Sequence, residues 1–255
     1  MRYLRDGQDL DPQIVIIGFA PVNLRRAVNV YRRFISIKEP PLVKPRFVLN
    51  EQDDLELVET PAVDYQRLLE TPQLLKELGQ HDNWYSPAVY DNPFYDWSRT
   101  IRLITNIAII FNRKLLDPDR LLLKRRGGQI FNDKSAAFRI QSKVLEKFYN
   151  TVKETGATPV ILFLPSMDDI YRARNRKSTT YSPLAELLRK HKLSYIDSIE
   201  AFMELPADQD VAQLFAPGGH YSARANKILA EFAGNKISDL KVESPAGQFH
   251  PGQAL

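Results

Sequence analysis

The chain has 255 residues, 44% hydrophobic and 26% charged, with a formal net charge of +4; this is the balance of a globular chain and excludes a disordered one. It has no cysteine, which removes disulfides, thiol catalysis and cysteine-based zinc sites. A mildly basic surface helps approach to acidic partners but selects none.

Met1 to Leu10 has no apolar core of the kind a signal peptide needs. The most apolar run, Ile101 to Phe111, contains Arg102 and Asn106 and falls well short of the roughly 20 residues that span a bilayer. No transmembrane segment is expected.

Gln13 to Phe19 is a nearly unbroken β-branched run, which predicts a strand buried on both faces of a parallel sheet. Pro12 suits its start, and Gly18-Phe19-Ala20-Pro21-Val22-Asn23 makes the turn into a basic segment, residues 24 to 33. Ligands of open α/β sheets gather beyond the carboxyl ends of strands, so Asn23 lies where chemistry is expected.

Residues 40 to 135 read as an inserted elaboration. Pro40-Pro41 and Pro45 break the chain, and Arg46 to Leu49 with Leu55 to Val58, around a polar 50–54 stretch, predict a β-hairpin. Tyr65, Leu68, Leu69, Leu74, Leu75 and Leu78 are helical in spacing, interrupted at Pro72. The aromatic link from Trp84-Tyr85 through Phe94-Tyr95 to Trp97 is expected in the core, with a carbohydrate or acyl-chain groove as the alternative. Trp97 to Leu116 follows as a helix, stopped by Asp117-Pro118.

Phe138, Val144, Leu145, Phe148 and Val152 mark one apolar face of a helix closing at Gly156, and Pro159 to Pro165 is a second buried strand. Tyr181 to His191 is a helix with Leu184, Leu187 and Leu188 inward, followed by a short strand, Ser194 to Ile196. The loop Leu214 to Ser222 delivers His220 just ahead of a last helix, whose apolar positions are Ala225, Ile228, Leu229 and Phe232. Ser222 is its expected N-cap. The alternation predicts a three-layer α/β/α domain with a mainly parallel sheet. Residues 1 to 242 form one domain in this reading, and 243 to 255, rich in Gly, Pro and Gln, a loose tail.

The early strand and its Gly18 to Asn23 turn, taken with the Phe215 to His220 loop, resemble the SGNH (GDSL-type) hydrolases, a superfamily of serine esterases, acyltransferases and related proteins. Pro45 to Leu49 and Val160 to Ser166 extend the likeness toward large bacterial members. The resemblance implies a flavodoxin-like α/β/α fold, no cofactor, and an acylated small molecule or carbohydrate as substrate. It assigns the oxyanion-hole amide to Asn23 and the general base to His220. The chemistry suits those residue types: a neutral imidazole takes the serine proton, and one oxyanion donor is worth about 10²- to 10³-fold in rate. The reading expects Asn23 and His220 at the same end of the sheet.

The sequence departs from the family pattern in three ways. There is no Gly-Asp-Ser anywhere and no serine before Asn23; Pro217 stands three before His220 where the family has Asp; and Leu24 follows Asn23. Asp208 or Asp210 would have to orient the imidazole. Ser166 and Ser222 read as helix N-caps rather than nucleophiles. The expectation is therefore an N-terminally truncated SGNH-type chain, inactive alone, with Met1 an internal start. The alternative is a non-catalytic SGNH-like domain that binds carbohydrate or protein. Histidines 81, 191, 220 and 250 lack metal-ligand spacing. The basic runs Arg25-Arg26, Arg32-Arg33, Lys124-Arg125-Arg126 and Arg172 to Lys177 are interspersed with acids and read as solvated surface, with no nucleic-acid partner.

Overall fold

The computed structural model describes residues 6–36, 38–60, 68, 72–95, 97–115, 130–132 and 134–239, with the side chains of 72 and 109–115 left aside. Tyr65 and Leu69, the Asp117-Pro118 stop, the 124–126 basic run, His250 and the 243–255 tail lie outside these residues.

In chain order the elements are β1 (Ile14–Phe19), α1 (Leu24–Ala27), α2 (Arg32–Ile35), β2 (Arg46–Leu49), β3 (Leu55–Val58), α3 (Pro72–Gln80), α4 (Pro87–Tyr90) and α5 (Arg99–Leu115). There follow α6 (Ala136–Glu154), β4 (Thr158–Phe163), α7 (Met167–Arg174), α8 (Ser182–Lys190), β5 (Tyr195–Asp197), α9 (Ile199–Met203) and α10 (Ala223–Asp239). α3 begins at Pro72, whose fixed φ and missing N–H suit a first turn. Gly156, at φ +84°, stands just past α6 and donates its N–H to the Lys153 carbonyl at 3.0 Å, the left-handed stop that glycine supplies most readily. The molecule is a mixed α/β protein whose described parallel sheet has three strands.

The chain divides into two compact units. The first takes the described parts of Met1–Phe19, Leu145–Lys177 and His191–Leu255; the second takes those of Ala20–Val144 and Ser178–Lys190.

In the first unit the strands run in parallel in the order β1-β4-β5, with Ile14 opposite Thr158 and Ile161 opposite Tyr195. Val160, Ile161 and Phe163 of the central β4 are buried, and the Phe163 ring meets Phe19 and Tyr195 edge-on at 5.6 and 5.4 Å. β1 departs from the expected two-sided burial: Ile16 is 47% exposed. Among the described residues β1 also pairs along one edge only, at the sheet margin. A second layer is sealed by Ile170, Phe202, Val211, Leu214, Ala225 and Leu229, which join α7, α9, the 211–214 turn and α10 in one cluster. Removing such side chains from water is the main favourable term, roughly 1.5–3 kcal/mol for each fully buried large one.

In the second unit β2 and β3 form the expected antiparallel hairpin, Arg46 opposite Val58 and Leu49 opposite Leu55. Its turn is held by Asn50, whose side-chain oxygen accepts from the Gln52 and Asp54 N–H groups at 3.0 and 2.9 Å. Asp53 takes φ 63° there, a conformation Asp tolerates better than most. Tyr31, Phe34, Tyr85 and Tyr90 make an aromatic cluster with centroids 4.8 to 5.3 Å apart. The aromatic link divides: Trp84 and Tyr85 are in the core, whereas Phe94 is 56% and Trp97 81% exposed. The expected core role holds at the Trp84-Tyr85 end only, because hydrophobicity alone does not say which end of a segment turns outward.

Candidate active site

The His220 loop is built from backbone. Phe215 and Tyr221 form an antiparallel bridge, the Ala216 N–H donates to the His220 carbonyl at 2.7 Å, and the Ser222 N–H donates to the Leu214 carbonyl at 2.9 Å. Between them Gly218 and Gly219 take φ +90° and +80°, which strain any residue with a Cβ. The imidazole of His220 is exposed at the tip.

Tyr221 secures this loop to the sheet. Its ring lies 5.1 Å from Phe215 and 5.8 Å from Phe202, and its hydroxyl donates to the Pro165 carbonyl, just beyond the carboxyl end of β4. Burial, with Asp169 and Asp197 nearby, pushes the Tyr221 pKa up, so the phenol keeps the proton it donates.

Around that strand end the polar groups are engaged. Ser166 and Asp169 form a reciprocal capping box on α7: the Ser166 hydroxyl donates to Asp169 Oδ2 at 2.5 Å and accepts the Asp169 N–H at 3.3 Å, and the Ser166 N–H donates to Oδ2 at 2.9 Å. Ser198 donates its hydroxyl to the Phe163 carbonyl, and Asp197 Oδ1 accepts the Ile199 N–H at 3.1 Å. Ser222 accepts the Ala225 N–H at 3.3 Å, as an N-cap does. Asp210 accepts the Ala212 N–H at 2.9 Å to cap the 211–214 turn. Among the described residues no carboxylate or serine hydrogen-bonds the His220 imidazole.

Asn23 belongs to the second unit, half-buried at the end of a 3-10 turn, Pro21–Asn23. Its oxygen accepts from Arg26 Nη1 at 3.4 Å, while its amide N–H groups meet no acceptor among the described residues. The donor end is the one an oxyanion would use.

Sequence reading missed a polar hub in the same unit. Asp82 Oδ2 accepts from Asn29 Nδ2 at 2.9 Å, Val30 N–H at 2.6 Å and Tyr31 N–H at 3.0 Å, and Oδ1 accepts from Trp84 N–H at 2.8 Å. Arg46, also buried, donates to the Val28 and His81 carbonyls and to Asn83 Oδ1 at 2.7 to 3.0 Å. Burial raises the Asp82 pKa against the pull of its N–H donors, and burial with nearby Arg46 lowers Lys44 to about 8. The only hint in the sequence was Arg46 at the head of a predicted strand, where a buried cation demands a partner.

Fold and site together define a mixed α/β protein with a small parallel sheet and a histidine loop at the carboxyl end of its central strand. Comparison with protein-family models, curated proteins and solved structures finds no match. Among the described residues no group of three or more His, Asp or Glu could hold a metal ion, and no helix is long and apolar enough to cross a membrane.

Proposed function

We propose that this chain carries the general-base part of an SGNH-type ester hydrolase or O-acyltransferase, with His220 as the base and Asn23 as an oxyanion donor. The observation that supports it is the mounting of the imidazole: a glycine-shaped loop holds it exposed, and Tyr221 ties that loop to Pro165 at the carboxyl end of β4. In the proposed step His220 takes a proton from an attacking hydroxyl as its oxygen adds to the ester carbonyl. The resulting oxyanion calls for an N–H donor, and its collapse expels the alcohol, which recovers the proton from the imidazolium. The substrate class is an acylated small molecule or carbohydrate.

A second reading, a non-catalytic SGNH-like domain that binds carbohydrate or protein, is favoured by one fact. Ser166 and Ser222 already serve as caps. One experiment separates the two. With p-nitrophenyl acetate, slow turnover that disappears in His220→Ala, without fluorophosphonate labelling, is expected. Equal rates in both proteins would remove His220 from any catalytic role, and stoichiometric labelling of Ser166 or Ser222 would establish a different nucleophile.

A further inference from the structure

Helix α5 presents three stripes. Ile101 and Thr105, one turn apart, are half-buried against the protein; Arg102 and Asn106 are exposed; and Leu103, Ile104 and Ile107 on the remaining arc are 61%, 60% and 56% exposed. Just ahead of the helix, Trp97 is 81% exposed and sits edge-on to Phe94 at 6.3 Å. Contiguous apolar side chains of this size on a surface mark an interaction site.

Charge selects the partner. From Phe94 to Leu115 the sequence has four cations, Arg99, Arg102, Arg113 and Lys114, against one acid, Asp96. Two copies packed through this face would bring like charges together, whereas an anionic surface would neutralise them. A large apolar face, flanking cations and a tryptophan at one end are the features of a helix lying in a membrane interface.

We infer that α5, with Phe94 and Trp97, docks in the plane of an anionic lipid bilayer, its Leu103-Ile104-Ile107 face in the headgroup boundary and Arg99 over lipid phosphates. Arg102 already hydrogen-bonds the Tyr95 carbonyl and lies over the Tyr95 ring, 5.9 Å from its centroid, which braces the helix start for this contact. The inference is independent of the proposed ester chemistry.

The protein has two tryptophans, and Trp84 is 6% exposed, so Trp97 is the reporting one. The full 255-residue protein is floated with phosphatidylcholine vesicles with and without phosphatidylglycerol. Binding is expected only to the anionic vesicles, with a blue shift and quenching by brominated lipid that persist in Trp84→Phe and vanish in Trp97→Phe. Arg99→Gln should weaken binding about fivefold, and roughly 1 M salt should weaken it strongly. The charge-neutral pair Leu103→Ser and Ile107→Ser should weaken it at least tenfold with an unchanged circular dichroism spectrum; these side chains are exposed, so folding is spared. No flotation with anionic vesicles at low salt overturns the inference. Binding indifferent to the serine pair would reduce it to general electrostatic attraction and overturn it too. A concentration-dependent dimer that the serine pair dissociates would assign the face to a second copy instead.

Discussion

Lys44 is a cation held partly out of water, and that burial is the main reason its pKa falls; Arg46, Arg32 and Arg26 add to the fall and Asp82 opposes it. Folding therefore favours its neutral form. Between about pH 8 and 10.5 the unfolded chain binds the extra proton and the fold does not, so stability rises with pH across that window and the gain is lost as pH falls through 8. Urea midpoints measured against pH should show that rise, and Lys44→Met should flatten it and raise stability at pH 7. A variant less stable than the parent at pH 7 would mean the ammonium has a favourable partner. Asp82 is likewise penalised by burial, which raises its pKa, but its carboxylate accepts from four donors. Asp82→Ala should cost about 3–5 kcal/mol, read as a lower urea midpoint. Neither residue was legible in advance. Asp82 meets three of its four donors across 51 to 53 positions of sequence, and no local spacing announces such a pairing. The glycine-shaped loop before His220 and the two serine caps were legible, because glycines in a turn and a serine before an amphipathic run act through their immediate neighbours.

Gly79 shows how tightly an element can be specified. A Cβ built on it would lie 2.4 Å from the Tyr85 ring, and the ring is pinned because its hydroxyl donates to Asp91 Oδ1 at 2.5 Å. In an open helix Gly→Ala stabilises by up to about 1 kcal/mol. In α3, Gly79→Ala should instead destabilise, by about 1–3 kcal/mol, and the double variant with Tyr85→Leu should recover much of that loss in a thermal melt. Stabilisation by Gly79→Ala alone would show that the ring can move aside. Most elements were readable because their signals are local: the hairpin ends fall on the expected residues, since an alternating run on each side of Asn50 to Asp54 leaves little choice of register. Exposure was less readable. The same β-branched run makes a strand whether or not a neighbour covers it, so Ile16 could not be told from Ile17 by composition.

At the scale of the molecule, each compact unit is assembled from separated stretches of chain. The two-stranded hairpin needs contacts only within residues 46–58, whereas the parallel sheet needs strands from distant segments. Local pairings form quickly and distant ones slowly, because loop closure is paid before the contact rewards it. Refolding from urea should accordingly show the hairpin protected from hydrogen exchange before β1 and β4; simultaneous protection would indicate one concerted step.

The register of β1 on β4 has a consequence for the newborn protein. Ile14 pairs with Thr158, so β1 leaves the ribosome long before its partner is made, an interval on the order of 10 s at ordinary synthesis rates. During that wait the Ile14 to Ile17 backbone is a sticky template for any extended chain in reach. Stalled nascent chains ending before β4 should be cut by protease near β1 and recruit chaperones there, and chains extended through Asp239 should resist both. The strand most open at the margin of the finished sheet is thus also the one that needs guarding first.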